Sequence, residues 1–181
     1  MGVQALGYVV IETAQPEKWN HFLTEMAGAM RAEDAADGAA QYRIDERPFR
    51  FRIEPSNREW FKAAAYRVTD RKALEHLANA IEAAGRAISY LDNREVELRQ
   101  VVAAFRTTDP AGNGLEFYCG DSIADSPFIS PLGISNFVTG DMGMGHAVFS
   151  APNFEETVAF YRNVIGFHET DMPRFYFAGG G

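Results

Sequence analysis

Residues 7–28 read GYVVIETAQPEKWNHFLTEMAG, and residues 145–166 read GHAVFSAPNFEETVAFYRNVIG. The two align without gaps at a constant shift of 138. Gly7 matches Gly145, Tyr8 matches His146, Val10 matches Val148, Glu17 matches Glu155, Phe22 matches Phe160 and Gly28 matches Gly166. Each segment opens with a short apolar strand, turns, continues as an amphipathic helix and stops at a glycine. Identities are few, but the order of signals coincides, so the segments read as two copies of one structural unit.

A middle copy lies between them. AAAYRV (63–68) has the composition of a strand. Residues 71–84 place Leu74, Leu77, Ala78 and Ile81 on one helix face, with Asp70 as N-cap and Gly85 as stop. The rest of each complete copy is strand. QYRID (41–45) and FRFRIEP (49–55) form a hairpin, with Phe49, Phe51 and Ile53 inward and Arg50, Arg52 and Glu54 outward. VVAAFRT (101–107) and GLEFYC (114–119) are joined by the turn-rich Asp109-Pro110-Ala111-Gly112-Asn113-Gly114.

The helix periodicity is specific enough to name residues. Over 16–27, Pro16 suits the first helical position, and Trp19, Phe22, Leu23 and Met26 share a face. In the third copy, Asn153 and Glu156 make a capping-box-like opening, and Phe154, Val158, Tyr161 and Ile165 are spaced as one face requires. GHAVFS (145–150), FHET and RFYF read as strands. Residues 121–144, rich in Gly, Pro, Ser and Asp, read as a connector. The fold class is therefore α+β, built from repeated strand–helix–strands units: two complete and a third cut short. A cut unit leaves an unpaired sheet edge and exposes Phe175, Tyr176 and Phe177. The expectation is that this chain is the front part of a longer protein, or that a partner completes it.

Composition narrows the function classes. Among 181 residues there are 17 Lys+Arg and 25 Asp+Glu, a formal charge of −8. That acidic balance argues against a generic nucleic-acid or anionic-membrane binder. No apolar run reaches membrane-spanning length, and the N-terminus lacks signal-peptide features. One cysteine, Cys119, excludes an intramolecular disulfide and a CxxC metal knuckle, and is expected to be buried. A reducing, cytoplasmic setting is the default. Aromatic residues make up 13%, enough to fill a core or to line a pocket for a flat apolar ligand. No P-loop, dinucleotide fingerprint or Ser-His-Asp order is present.

The run GISNFVTGDMGMGHAVFSAPNFEETVAFYRNVIGFHETD (133–171) resembles the type I extradiol ring-cleavage dioxygenases, closest to their 2,3-dihydroxybiphenyl 1,2-dioxygenase branch. LGYVVIET (6–13) and DPAGNGLEFYCG (109–120) fit the same family. The resemblance implies the vicinal-oxygen-chelate fold of glyoxalase and bleomycin-resistance proteins, with βαβββ units forming incomplete barrels. It implies a metal-free domain over 1–122, a linker over 123–141 and the opening of a catalytic domain over 142–181. The implied chemistry is cleavage of a catechol ring by O₂ at a non-haem Fe(II) held by two His and one Glu. His146 would be the first His ligand, with the other two ligands and the acid–base His beyond residue 181.

On its strand His146 shares a face with Val148 and Ser150, opposite Ala147 and Phe149. The residues alone favour a hydrogen-bonded core histidine; the resemblance favours the ligand. An imidazole suits Fe(II), and a facial triad leaves positions open for substrate and O₂. Val148, one strand step away, is either a substrate contact or a core valine. Tyr8 takes the place of His146 in the first copy and is no substitute for imidazole on Fe(II). Glu116 falls where the family places its metal Glu in the second domain; because its histidine counterpart here is Tyr8, it is expected to be structural or at the surface. His21, His76 and His168 read as surface residues, and His168 and Glu169 point to opposite faces. The family commonly assembles into oligomers. The alternative reading is a metal-free module that sequesters flat aromatic ligands.

Overall fold

The computed structural model describes residues 2–170. Strand β1 (Val3–Thr13) is followed by helix α1 (Pro16–His21), β2 (Met30–Arg31), β3 (Ala40–Arg43) and β4 (Phe51–Pro55). The order then repeats with β5 (Trp60–Val68), α2 (Arg71–Ala83), β6 (Ser89–Tyr90), β7 (Ala103–Thr108) and β8 (Gly114–Cys119). Helix α3 (Asn93–Arg99) is an insertion between β6 and β7, and α4 (Phe154–Phe160) belongs to the third copy. The strands form one sheet in the order β2-β3-β4-β1-β5-β8-β7-β6. Each half is one βαβββ unit: β1 pairs parallel with β4, β5 pairs parallel with β8, and the halves join through antiparallel β1 and β5.

Both faces of this sheet are covered, so β1 is buried along most of its length. Val9 and Ile11 face the helices, where Leu74, Leu77, Ala78 and Ile81 of α2 meet Leu23 and, from the third copy, Phe160 and Ile165. Tyr8 and Val10 face the other side with Phe49, Ala65, Leu91 and Tyr118. A register shift between Leu6 and Tyr8 switches the alternation there.

The repeat is visible in backbone detail. After α1 the chain makes a π-type turn (Phe22–Met26), and after α4 another (Tyr161–Ile165). Ala29 N donates to Leu23 O at 2.8 Å, and Phe167 N donates to Tyr161 O at 2.8 Å, the same bond 138 residues apart. Gly28 and Gly166 adopt φ of +75° and +87°, the left-handed region that a glycine enters without strain. The α-helical part of 16–27 is thus shorter than its periodicity suggests.

Several side-chain expectations are corrected. Arg50 and Arg52 do not point to solvent; both are buried, because the sheet face that Arg52 shares with its neighbour Val10 is itself an interior, packed with Tyr8, Phe49, Leu91 and Tyr118. Their charge is matched locally. Arg50 forks onto Asp45 at 2.5–3.0 Å and donates to Gly7 O at 2.6 Å; Arg52 pairs with Glu54 at 2.9 Å and with Asp37. In the first helical segment Leu23 is buried and Trp19 half-buried, but Phe22 and Met26 are exposed. In the third, Thr157, Phe160 and Ile165 are inward and Phe154 is exposed, so the buried stripe is rotated from the expected one. Asn153 caps no backbone N–H; its amide donates to Glu156 at 3.0 Å and its oxygen accepts from Thr157 at 3.2 Å. Asp70 does cap α2, accepting from Ala73 N at 2.8 Å, and Cys119 is buried. Residues 145–150 and 167–170 join no ladder, and RFYF (174–177) lies outside the described residues.

The interior ion pairs set a pH dependence. Burial works against the charge on Asp45 and Glu54, but Arg50 for the first, and Lys62 and Arg52 for the second, outweigh it and hold both below the usual carboxylate range. A depressed folded value contributes stability above the unfolded value of about 4. That contribution is lost as the pH falls through the folded value. Urea unfolding midpoints should therefore decline steeply below about pH 4, and Glu54→Gln should flatten that slope. An unchanged slope would show that this pair contributes nothing.

Candidate functional site

The segment that carries His146 is held without a strand partner. Gly143 bridges Leu6 of β1, and Met144 N donates to Leu6 O at 2.9 Å. A Cβ on Gly143 would sit 2.1 Å from Leu6 O, so the approach itself requires glycine. Beyond it, Ala147 and Phe149 lean on the core, and Phe149 meets Phe61 edge-to-face at 5.6 Å. His146, Val148 and Ser150 are exposed on the opposite side. The alternation read from the sequence is therefore present, although no ladder fixes it.

His146 lies on an open pocket of about 570 Å³ whose walls include Leu6, Tyr66, Gly145, Phe167 and His168. Phe167 stacks on Tyr161 at 5.5 Å and meets Tyr66 edge-to-face at 5.3 Å. Burial, then Asp109, pushes the Tyr66 phenol up to about 12 and raises the Tyr161 phenol further. Both phenols stay neutral donors at physiological pH. Val148 is 84% exposed and is not among the pocket's lining residues. His168 faces the same pocket as His146, whereas the Glu169 carboxylate lies 3.5 Å from Arg162. His21 and His76 are surface residues. Among the described residues no three His, Cys, Asp or Glu side chains converge as a metal site. The His146 imidazole is a suitable single donor; the described residues do not complete a cage.

The equivalent place in the first copy is filled differently. The Tyr8 hydroxyl donates to Glu116 Oε2 at 2.7 Å. Arg99 donates to the same oxygen at 3.1 Å and to Oε1 at 3.0 Å. All three side chains are buried. Burial, then the adjacent Glu116 carboxylate, pushes the Tyr8 phenol well above its ordinary value. Burial opposes the charge on Arg99, but Glu116 more than offsets it and keeps the guanidinium protonated. Arg99 Nη1 also lies 3.5 Å from Glu54 Oε1, and Glu54 accepts from Lys62 at 2.6 Å. Glu116 is thus structural and interior, not a surface group. Sequence reading missed Arg99, yet a signal exists: Asp92 and Glu95 form a full capping box that opens the helix ending at Arg99.

Comparison with known proteins carries this geometry further. Residues 6–55 match the family model described as dihydroxybiphenyl dioxygenase BphC D1. Over 173 residues, 95% of this chain, the sequence is 36% identical to the biphenyl-2,3-diol 1,2-dioxygenase of Pseudomonas sp. strain KKS102. Over nearly its whole length the chain is thus similar to extradiol dioxygenases. It is also 28% identical, over 96% of its length, to the iron-dependent extradiol dioxygenase of Rhodococcus jostii strain RHA1. Among solved structures, BphC, a halotolerant catechol dioxygenase, superposes with a TM-score of 0.88 at 29% identity over 92% of this chain. A Mn(II)-bound glyoxalase from Novosphingobium aromaticivorans shares the fold at a TM-score of 0.74. This chain spans 59%, 58% and 56% of the Pseudomonas, Rhodococcus and BphC chains respectively. Among the described residues no helix is long and apolar enough to cross a membrane.

Proposed function

We propose that the protein containing this chain is an Fe(II)-dependent extradiol dioxygenase that opens a substituted catechol, with 2,3-dihydroxybiphenyl as the first substrate to try. The 36% identity to a biphenyl-2,3-diol 1,2-dioxygenase over 95% of the chain is the observation that carries this reading. In it, His146 supplies one imidazole ligand and Val148, one strand step away, meets the substrate. Bound iron would supply a centre at which the catechol and O₂ exchange electrons. The residues in hand orient and shield: Ala147 and Phe149 anchor the segment from below, while Tyr66 and Phe167 form an apolar wall that limits water.

The same reading divides the chain into a metal-free domain over 1–122, a linker over 123–141 and the opening of the catalytic domain over 142–181. Its support is that the eight strands among the described residues fall within 3–119, and that Arg99 already neutralises the Glu116 carboxylate facing Tyr8. A cytoplasmic, oligomeric enzyme completes the proposal.

The test is anaerobic reconstitution of the whole protein with Fe(II), followed by 2,3-dihydroxybiphenyl and air. The expected result is the yellow ring-fission product with stoichiometric O₂ uptake. Thermal stabilisation by aromatic ligands without iron, and no O₂ uptake, would favour the metal-free binding module instead. The 181-residue chain alone should bind Fe(II) weakly and give no yellow product, since among the described residues no three metal-ligating side chains converge.

A further inference from the structure

The turn Asp109-Pro110-Ala111-Gly112-Asn113-Gly114 has more partners than a hairpin needs. Asp109 is fully buried. Its Oδ1 accepts from Asn113 N at 2.8 Å, and its Oδ2 accepts from Asn113 Nδ2 at 2.8 Å. Those bonds close the turn on itself. Two further bonds leave it for the third copy. Asn113 Nδ2 donates its second hydrogen to Ser150 O at 3.0 Å, and the Tyr161 hydroxyl donates to Asp109 Oδ2 at 3.1 Å. At its end the turn is held against β5: a Cβ on Gly114 would lie 1.8 Å from Lys62 O.

The segment reached by Asn113 has few other fixings. Residues 145–150 join no ladder, and their backbone is tied at one end by Met144 N to Leu6 O. His146 lies between that bond and the bond at Ser150. A carboxamide is the group the geometry requires, because one nitrogen must serve a carboxylate and a carbonyl together. Neither oxygen of an isosteric carboxylate would do so.

We propose that Asn113 is a positioning residue for His146, clasping the far end of its segment to the first domain through Ser150 O. This rests on the reading of His146 as an iron ligand. The effect reaches the metal site through the backbone, so iron affinity and segment order should change together.

Three proteins test it in their whole form: wild type, Asn113→Asp, and the swap D109N/N113D. The swap restores an amide-to-carboxylate bond inside the turn, with the Tyr161 hydroxyl now accepting from the second amide hydrogen at position 109, but offers no donor to Ser150 O. In the swap, hydrogen exchange across 103–119 and the Tm should match wild type. Exchange across 144–150 should be about fivefold faster, the loss of one hydrogen bond. Fe(II) affinity, read by competition with a chromophoric chelator, should fall about tenfold, as for other groups that orient a ligand. Unchanged exchange across 144–150 in both variants overturns the clasp. Faster exchange with unchanged affinity, while His146→Ala still weakens iron binding, overturns the positioning role. If His146→Ala also leaves affinity unchanged, the ligand reading falls and the clasp stands.

Discussion

His146→Ala in the whole protein is expected to lower Fe(II) affinity and ring-cleavage turnover by well over 100-fold, more than the 10–100-fold typical of groups that merely orient a ligand. The same substitution should leave the Tm within a few degrees, since exposed positions usually tolerate change. His146 is exposed and joins no ladder, and Ala147 and Phe149 pack the segment on the core. The separation of effects makes the experiment decisive. A core histidine would lose stability on truncation and leave iron affinity untouched. His146→Gln, which keeps a polar side chain without an imidazole, should behave like the alanine variant toward iron. Normal iron content and turnover in either variant would remove His146 from the site.

Arg99→Met should be the most destabilising single change in the first domain. Arg99 and Glu116 are 5% and 3% exposed, and their two bonds measure 3.1 and 3.0 Å. Removing the guanidinium leaves a buried carboxylate whose only remaining side-chain partner among the described residues is the Tyr8 hydroxyl. Breaking a buried pair in this way costs about 3–5 kcal/mol. For a chain of this size that is a Tm drop of roughly 10 °C. The double variant R99M/E116Q should recover most of it, because a neutral amide tolerates burial beside Tyr8 far better than an unpaired charge. Equal losses in the single and double variants would mean that Arg99 acts through packing alone. Scanning calorimetry separates the two.

The repeat explains why these predictions fall at matching places. Tyr8 and His146 occupy one position in two copies of a unit. In the first copy the position faces an interior already neutral in charge, with a cation supplied by α3. In the third it faces an open pocket. One backbone plan thus supports a structural ion pair at one end and a candidate ligand at the other.

Local signals determined much from the sequence by itself. The 138-residue shift, the helix stops at Gly28 and Gly166, the cap at Asp70 and the alternation around His146 each depend on neighbours within one turn or one strand, so residue order reveals them. Tertiary structure alone decided the rest. Arg50 and Arg52 alternate as a solvent-facing stripe should, and only the packing of distant segments over that face makes the stripe an interior. Residues 145–150 have strand composition, but a strand exists only with a partner to accept its hydrogen bonds, and among the described residues none pairs with them. Glu116 meets Arg99 and Tyr8, 17 and 108 positions away, and Asn113 meets Ser150, 37 positions away. Periodicity carries no information about which distant groups share a buried charge or a carbonyl; only the folded chain brings them within bonding distance.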